Sequence, residues 1–475
     1  MSSFVCPAPE ELLPLFPELL PGTIVEPLVK ASGVKLYWRL LTPLVILWGF
    51  IFQRLNSDHT CEAMVSHLHS GVADHLVPVD PVAGPLSKRL TSESTSAYVQ
   101  GRNRLPLSVL QEALRHVFTV LAGWLRTKDA TTTWKGHAVR LLDGTTFRLH
   151  PTEAILKDYT QASNQTGTNY WVIVRSLAAF CGFSQALVAY AEAPTTTSEP
   201  ALIRVVMAQD PELNSLYIED RNFGSFRLVQ VARAYHKQVV TRLNACTARL
   251  LFKGVGLPGK LRSGADYRVA WAPQPWAQLE PDLPTTPVEG RLLYVRLCQK
   301  GFRPIDLYLF TTLLDPVLYP LEEIVALYGW RWQVEIDYRH IKTTLEMDEF
   351  NVKSPEMFRK ELAAGLLTYN LICALMVKAA LKANLSPTRL SFSRCWRRVR
   401  DLLVQGVPAW VIAQGGVEDY VLDRLAKCTL PRQPNKVAHE PRKVRRRPAV
   451  FPALKGDRQM ARQQVLQELS GKTIS

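Results

Sequence analysis

Asp143 follows the apolar run AVRLL and precedes Gly144, Asp220 closes the run SLYIED, and Glu335 lies within LYGWRWQVEIDYRHIKTTLE. Carboxylates are natural ligands of hard divalent cations. Three of them converging from separate elements on an otherwise open site could hold two Mg²⁺ (or Mn²⁺) ions roughly 3.5–4 Å apart. Such a pair activates a water or hydroxyl, aligns in-line attack on a phosphodiester, and neutralises charge on the attacking and leaving oxygens. Taken singly, two of the three have plainer explanations. An Asp-Gly pair after a strand reads as a turn, and an Asp at a strand end reads as a helix cap. Glu219, beside Asp220, competes for the same role. Successive strand side chains point to opposite faces, so the two should not both meet one metal.

Glu335 has ordered surroundings. A helix turning about 100° per residue brings Tyr328, Arg331, Glu335 and Lys342 into one narrow stripe. A phenol, a guanidinium, a carboxylate and an ammonium on one face suit a metal site beside a phosphate backbone. The Glu would hold metal, the Arg and Lys would grip phosphates, and the Tyr would pack or hydrogen-bond alongside. The competing explanation is an exposed helix laced by Arg331–Glu335–Arg339 pairs, worth a few tenths of a kcal/mol each. Spacing alone leaves both open.

The elements that must position these residues are predicted as follows. HAVRLLDGTTFRL, YWVIVRSLAAFC and QALVAYAEA read as three short strands separated by turns. EPALIRVVMAQ reads as a helix, SLYIED as a strand, FRLVQVARAY as a helix and KQVVTRLN as a strand. A meander followed by crossover helices predicts an α/β fold with a mixed sheet covered by helices, an order matching the ribonuclease-H fold. Residues 246–308 are rich in Gly, Pro, Trp and strand-like pieces; they predict a β-rich insertion with no long helix. Helices resume from Leu321 to about Lys382. The first 130 residues predict a helical N-terminal domain, from LYWRLLTPLVILWGFIFQRL and LSVLQEALRHVFTVLAGWLRT, without a clean helix-turn-helix.

A length of 475 residues predicts more than one domain, and 47% hydrophobic content that of a folded chain. A formal charge of +15 favours a polyanionic partner, nucleic acid first and an anionic membrane surface second. The eight cysteines are scattered singly, with no zinc-ligand spacing, and read as reduced thiols in a reducing cytoplasm. The apolar stretch 40–52 is shorter than the roughly 20 residues of a membrane span. Pro43 interrupts it, so a buried core helix is expected and no membrane. The start MSSFVCPAPEE lacks the basic n-region of a signal peptide, and no export is expected.

The spacing Tyr-x2-Arg-x3-Glu-x6-Lys, met by Tyr328, Arg331, Glu335 and Lys342, resembles the YREK signature of bacterial insertion-sequence transposases of the Asp-Asp-Glu, cut-and-paste group (the insertion-element-four type). LLDGTTF is similar to that family's first-aspartate block, YIEDRNFGSF to its second, and LFTTLLDPVLYPLEEIVALYGWRWQVEIDYRHIK to its third. The resemblance spans about 136–380, with weaker echoes at RNRLPLSVL and PRKVRRRPAVFPALK. It implies a ribonuclease-H-like core split by the insertion, and Asp143, Asp220 and Glu335 as catalytic metal ligands. It implies Mg²⁺-dependent nicking at transposon ends, then attack of the freed 3′-hydroxyl on target DNA. The partners would be double-stranded terminal inverted repeats and target DNA, with a dimer on DNA. By the same resemblance Tyr328 and Arg331 would hold the phosphate of a flipped nucleotide and Lys342 a nearby phosphate. Some relatives pass through a DNA hairpin and use a Trp of the insertion against distorted DNA; Trp271, in YRVAWAPQPW, is the candidate and Trp276 the second. Asn222 stands where relatives often have Gly, a place its side chain can tolerate in a turn.

The densest cationic runs, RCWRRVR (Arg394, Arg397, Arg398) and KVRRR (Arg445, Arg446, Arg447), would contact phosphates without specifying sequence. The expected organisation is a helical domain over 1–130, core segments over 136–245 and 309–405, the insertion over 246–308, and a basic tail over 406–475. Two alternatives are a silent DNA-binding protein of transposase descent and a ribonuclease-H-like nuclease without strand transfer.

Overall fold

The structure is a computed structural model that describes residues 19–20, 22–33, 40–71, 73–77, 79–126, 132–164, 167–256, 259–298, 304–405, 408–431 and 456–470. The chain forms two compact units, 1–296 with 306–432, and 297–305 with 433–475. The second contains the exposed helix Arg458–Ser470.

A mixed ten-stranded sheet organises the first unit. β1 (Val139–Leu149) pairs antiparallel with β3 (Gly167–Cys181), which also carries β2 (Gln161–Asn164) and β4 (Leu187–Pro194). On its other side β1 pairs in parallel with β5 (Leu216–Glu219), and β5 with β6 (Gln238–Arg242). The crossover helices are Glu199–Gln209 and Phe226–Ala234. β5 is buried along its whole length, and LYIE is nearly continuous in apolar character, as buried parallel strands are. Three antiparallel strands followed by two parallel ones give the ribonuclease-H-like core that the sequence predicts.

Two features depart from that prediction. Residues 246–308 begin in the helix Ala245–Gly254, where no long helix is expected. Asn244 caps it by accepting from Thr247 N at 2.8 Å, and Ala248, Leu251 and Phe252 give it an inward stripe. The strands of this region, β7 (Ala265–Trp271), β8 (Val288–Leu297) and β9 (Ile305–Thr311), continue the core sheet in the order β6-β9-β8-β7. The second departure is Pro43, which opens the helix Pro43–Leu55 instead of interrupting it. At a first helical position its missing N–H is not needed, and Thr42 caps Val45 N at 3.3 Å. All but Leu44 of that helix is buried.

The helix Pro355–Lys382 is long and apolar enough to cross a bilayer, but 94% of its apolar window is buried within the protein. It is the central core helix. The helices Leu107–Arg126 and Pro43–Leu55 pack on it, and Glu361 receives both Arg54 (2.5 Å) and Arg102 from the N-terminal helices. Toward the sheet, its Asn370 accepts from Leu187 N and donates to Leu187 O, both at 2.8 Å. The same helix thereby anchors the edge strand β4 and the N-terminal helices.

Candidate active site

Strand register brings the two aspartates together. Leu142 of β1 lies opposite Glu219 of β5, so the next residues along the two parallel strands are Asp143 and Asp220. Asp220 (φ −77°, ψ 170°) continues the extended path one residue past β5. Neighbouring strands lie about 4.8 Å apart, and alternation sends both aspartates to the face opposite Leu142 and Glu219. Glu219 is fully buried, and neither of its carboxylate oxygens has a hydrogen-bond partner among the described residues. Burial drives its pKa well above the ordinary carboxylate range.

Glu335 approaches from a helical run of changing pitch. The helix Leu321–Tyr328 tightens into a 3₁₀ turn at Gly329–Arg331, continues as the helix Trp332–Arg339, and widens into a π turn at His340–Thr344. Tyr338 fastens this run to β1, its hydroxyl donating to the Asp143 carbonyl at 2.6 Å and its ring packing edge-on against Phe180. Arg331 is the hub of the charges. Its Nη2 donates to Glu335 Oε1 at 3.0 Å, and its Nη1 lies 3.7 Å from Asp143 Oδ2. Burial pulls the guanidinium pKa down, but Asp220, Tyr328, Glu335 and Asp143 together hold it above its ordinary value. Tyr328 is buried beside it, its hydroxyl lacking a partner among the described residues and its pKa pushed up to about 12, chiefly by burial.

The four-residue stripe runs through changes of pitch. Tyr328, Arg331 and Glu335 lie together, and Lys342 follows further along, within the π turn. Its Nζ pairs with Asp348 at 2.8 Å and sits 6.0 Å from the centre of the Phe147 ring. Phe147 is four residues past Asp143 on β1, roughly 13 Å along the strand. Trp271 is only 4% exposed, packed edge-on against Phe310 (4.8 Å) and Phe226, so it has no open face for a base. Trp276, the second candidate, is 75% exposed. Arg394, Arg397 and Arg398 share the exposed side of the helix Phe392–Gln405, whose other side buries Phe392, Cys395 and Val399. Arg445, Arg446 and Arg447 lie outside the described residues.

Two residues near the site carried no sequence signal that marked them. Tyr338 is one. The other is Glu199, whose carboxylate accepts from Asn222 Nδ2 at 2.8 Å. Asn222 lies in the 3₁₀ turn Arg221–Phe223, outside the left-handed region, so its side chain serves that hydrogen bond rather than a strained backbone.

The donor set fits a hard divalent cation: it is oxygen only, from three carboxylates. Burial is the largest influence on Asp143; Asp220 and Glu199 add to it, Gly144 N and Arg331 oppose it, and the carboxyl is pushed up to about 6. A carboxylate so destabilised in its charged form gains from a cation. Among the described residues no three acidic, His or Cys side chains stand close enough to hold an ion between them. Arg331 lies between Asp143 and Glu335, as their shared counter-charge.

The chain is similar to known proteins over most of its length. Residues 134–371 match the family described as "Transposase DDE domain". The chain is 26% identical over 449 residues to "Transposase InsG for insertion sequence element IS4" of Escherichia coli (strain K12), covering 91% of each chain. Among solved structures, a piggyBac transposase synaptic complex with hairpin DNA aligns at a TM-score of 0.39 and 11% identity, over 89% of this chain and 86% of that one. The matched domain spans both aspartates, the Glu335 run and half of the whole sequence, and the chain belongs to the DDE transposase family, enzymes that cleave and transfer DNA with divalent metal ions.

Proposed function

We propose that Asp143, Asp220 and Glu335 are the three acidic residues of this transposase, and that they hold two Mg²⁺ ions which it uses to nick the ends of its element and join the freed 3′-hydroxyl to target DNA. The observation that carries the reading is the pairing of Asp143 and Asp220 on neighbouring parallel strands, on the face that Arg331 and Glu335 approach. When bound, the metal ions would activate the attacking oxygen and neutralise charge on the leaving one. The protein's own groups do the rest. Arg331 neutralises Asp143 and Glu335 without DNA; with a phosphate nearby, its guanidinium can make the bidentate contact that phosphate geometry favours. Tyr328, whose buried hydroxyl has no partner among the described residues, would donate to the same phosphate. Lys342, some distance along β1, would reach a different phosphate by leaving Asp348. Trp276 takes the base-supporting role, since stacking needs an exposed ring and offsets about 1–3 kcal/mol of unstacking per base. Arg394, Arg397 and Arg398 add sequence-independent grip. Two copies would act together, one for each transposon end, in the cytoplasm.

The test is strand cleavage on DNA carrying the terminal repeats of the element. Wild type should nick the ends in Mg²⁺ or Mn²⁺ and join a pre-cut end to a target plasmid. Asp143→Ala, Asp220→Ala and Glu335→Gln should abolish both reactions while still binding the DNA. Full cleavage by any of the three variants would overturn the assignment of that residue, and cleavage without joining would favour a plain nuclease.

A further inference from the structure

Glu199 stands in the first turn of the helix Glu199–Gln209, far in sequence from either aspartate. Its Oε2 accepts from Asn222 Nδ2 at 2.8 Å, and its Oε1 lies 3.9 Å from Arg175 Nε. Its carboxyl also rests on Gly144: a β-carbon there would come within 2.5 Å of Glu199 Cδ. Gly144 directly follows Asp143, and Asn222 comes two residues after Asp220. One carboxylate thus touches both segments that carry the aspartates. By strand alternation, position 144 faces the side of β1 away from Asp143. Glu199 therefore braces the strand from behind and does not share a face with the aspartates.

We propose that Glu199 is a positioning residue. Through its hydrogen bond with Asn222 and its seat on Gly144, it fixes the spacing of the Asp143 and Asp220 carboxylates and thereby the affinity of the site for divalent metal. The proposal rests on reading those aspartates as metal ligands. It also explains why position 144 is Gly: any side chain there would displace the Glu199 carboxyl. Partners outside the ligand set that orient ligands are typically worth 10- to 100-fold in metal affinity, and Glu199 would act at the lower end through one hydrogen bond.

The experiment is titration of the full-length protein with Mn²⁺, following free Mn²⁺ by electron paramagnetic resonance, with thermal unfolding in parallel. Asn222→Ala and Glu199→Ala should each weaken Mn²⁺ binding about 10-fold, and the double variant no further than Glu199→Ala, which already removes the Asn222 link. Gly144→Ala should weaken it similarly. Glu199→Gln, which can still accept from Asn222, should stay within about 3-fold of wild type; a bulk loss of structure could not be rescued in this way. Asn222 is exposed, so its variant should fold even if Glu199→Ala does not. Unchanged affinity in Asn222→Ala would overturn the proposal, as would Glu199→Gln binding as weakly as Glu199→Ala. Asp143→Ala is the control: if it binds Mn²⁺ like wild type, the reading of the metal site fails as well. If it loses binding while Glu199→Ala and Asn222→Ala do not, only the positioning role fails.

Discussion

Replacing Asp210 with alanine would remove the acceptor at the centre of a buried polar network behind the sheet. Arg140 Nε and Nη2 donate to the two Asp210 oxygens at 3.0 and 3.1 Å, Ser215 Oγ at 2.8 Å and Tyr217 hydroxyl at 3.0 Å. Lys237 Nζ lies 3.7 Å away and also donates to the Asp210 carbonyl at 2.9 Å. Arg140 and Lys237 are themselves buried, so without Asp210 two cations stay in the interior with no carboxylate in contact among the described residues. Breaking a buried pair by removing one partner costs about 3–5 kcal/mol, a large share of the 5–15 kcal/mol that ordinarily holds a domain. We expect a loss of about 4 kcal/mol, read as a lower urea midpoint at unchanged slope. Asp210→Asn should lose less, since an amide oxygen still accepts one or two of these bonds. The pH dependence has a definite sign. Burial alone would raise the Asp210 pKa, but Arg140 and then Lys237 and Ser215 outweigh it and hold it below the ordinary value. The carboxylate's contribution is therefore complete above the unfolded carboxyl value of about 3.9, and is lost as pH falls through the folded one. A loss below about 1 kcal/mol in Asp210→Ala at neutral pH would mean that the stranded cations had found other partners or water, and that Asp210 does not hold this network together.

Three more outcomes can be checked directly. Asp143, raised to about 6, is protonated below that pH in the metal-free protein. Half-saturating Mg²⁺ for cleavage should therefore rise about 10-fold per unit below pH 6 and be flat above 7; in the metal-free protein this carboxyl favours folding most below the ordinary value near 3.9, and that advantage is lost as pH rises through about 6. A metal requirement equal at pH 5 and pH 8 would contradict this. The two insertion tryptophans should separate: Trp271→Ala costs about 3–5 kcal/mol of stability by leaving a cavity against Phe310, whereas Trp276→Ala leaves the unfolding midpoint in place and weakens binding to distorted ends. Replacing Arg394, Arg397 and Arg398 together with Ala should lower the slope of log K against log salt by up to about 3, and affect all DNA sequences alike.

Much of the core could be read from the sequence because local pattern and fold coincide there. The strand around Asp143, the helix EPALIRVVMAQ and the apolar strand just before Asp220 stand where their apolar patterns predict. The alternation rule also separates Asp220 from Glu219, which register turns into the core. The misses are non-local or depend on helix pitch. Glu199 looks like any acid in a first helical turn, and only folding brings it to Gly144 and Asn222. The 3₁₀ and π turns on either side of Trp332–Arg339 are also hidden, because a stripe drawn at 100° per residue assumes one pitch throughout. Trp271 and Trp276 share one short segment, and its strand ends between them, leaving one ring inside and the other out. The helix Ala245–Gly254 is obscured by the Gly and Pro that follow it closely in GVGLPGK.

The helix Glu199–Gln209 links the buried Asp210 and the half-buried Glu199 behind the sheet. Asp210 is its C-terminal cap, and Glu199 stands in its first turn. Arg140 and Tyr217, which both donate to Asp210, are register partners on β1 and β5, three residues before Asp143 and Asp220 respectively. A slip of β5 by one residue would bring Glu219 toward Asp143 and turn Asp220 inward, inverting the roles of the two acids. It would also carry Tyr217 away from Asp210, leaving a buried carboxylate short of a donor. One end of the helix thus penalises the wrong register, while the other holds the Asp220 turn against Gly144. On the reading of Asp143 and Asp220 as metal ligands, the geometry of their face is set from the opposite side of the sheet. On this argument, mutations behind the strands should change metal affinity and stability in different proportions: Asp210 mainly stability, Asn222 mainly affinity.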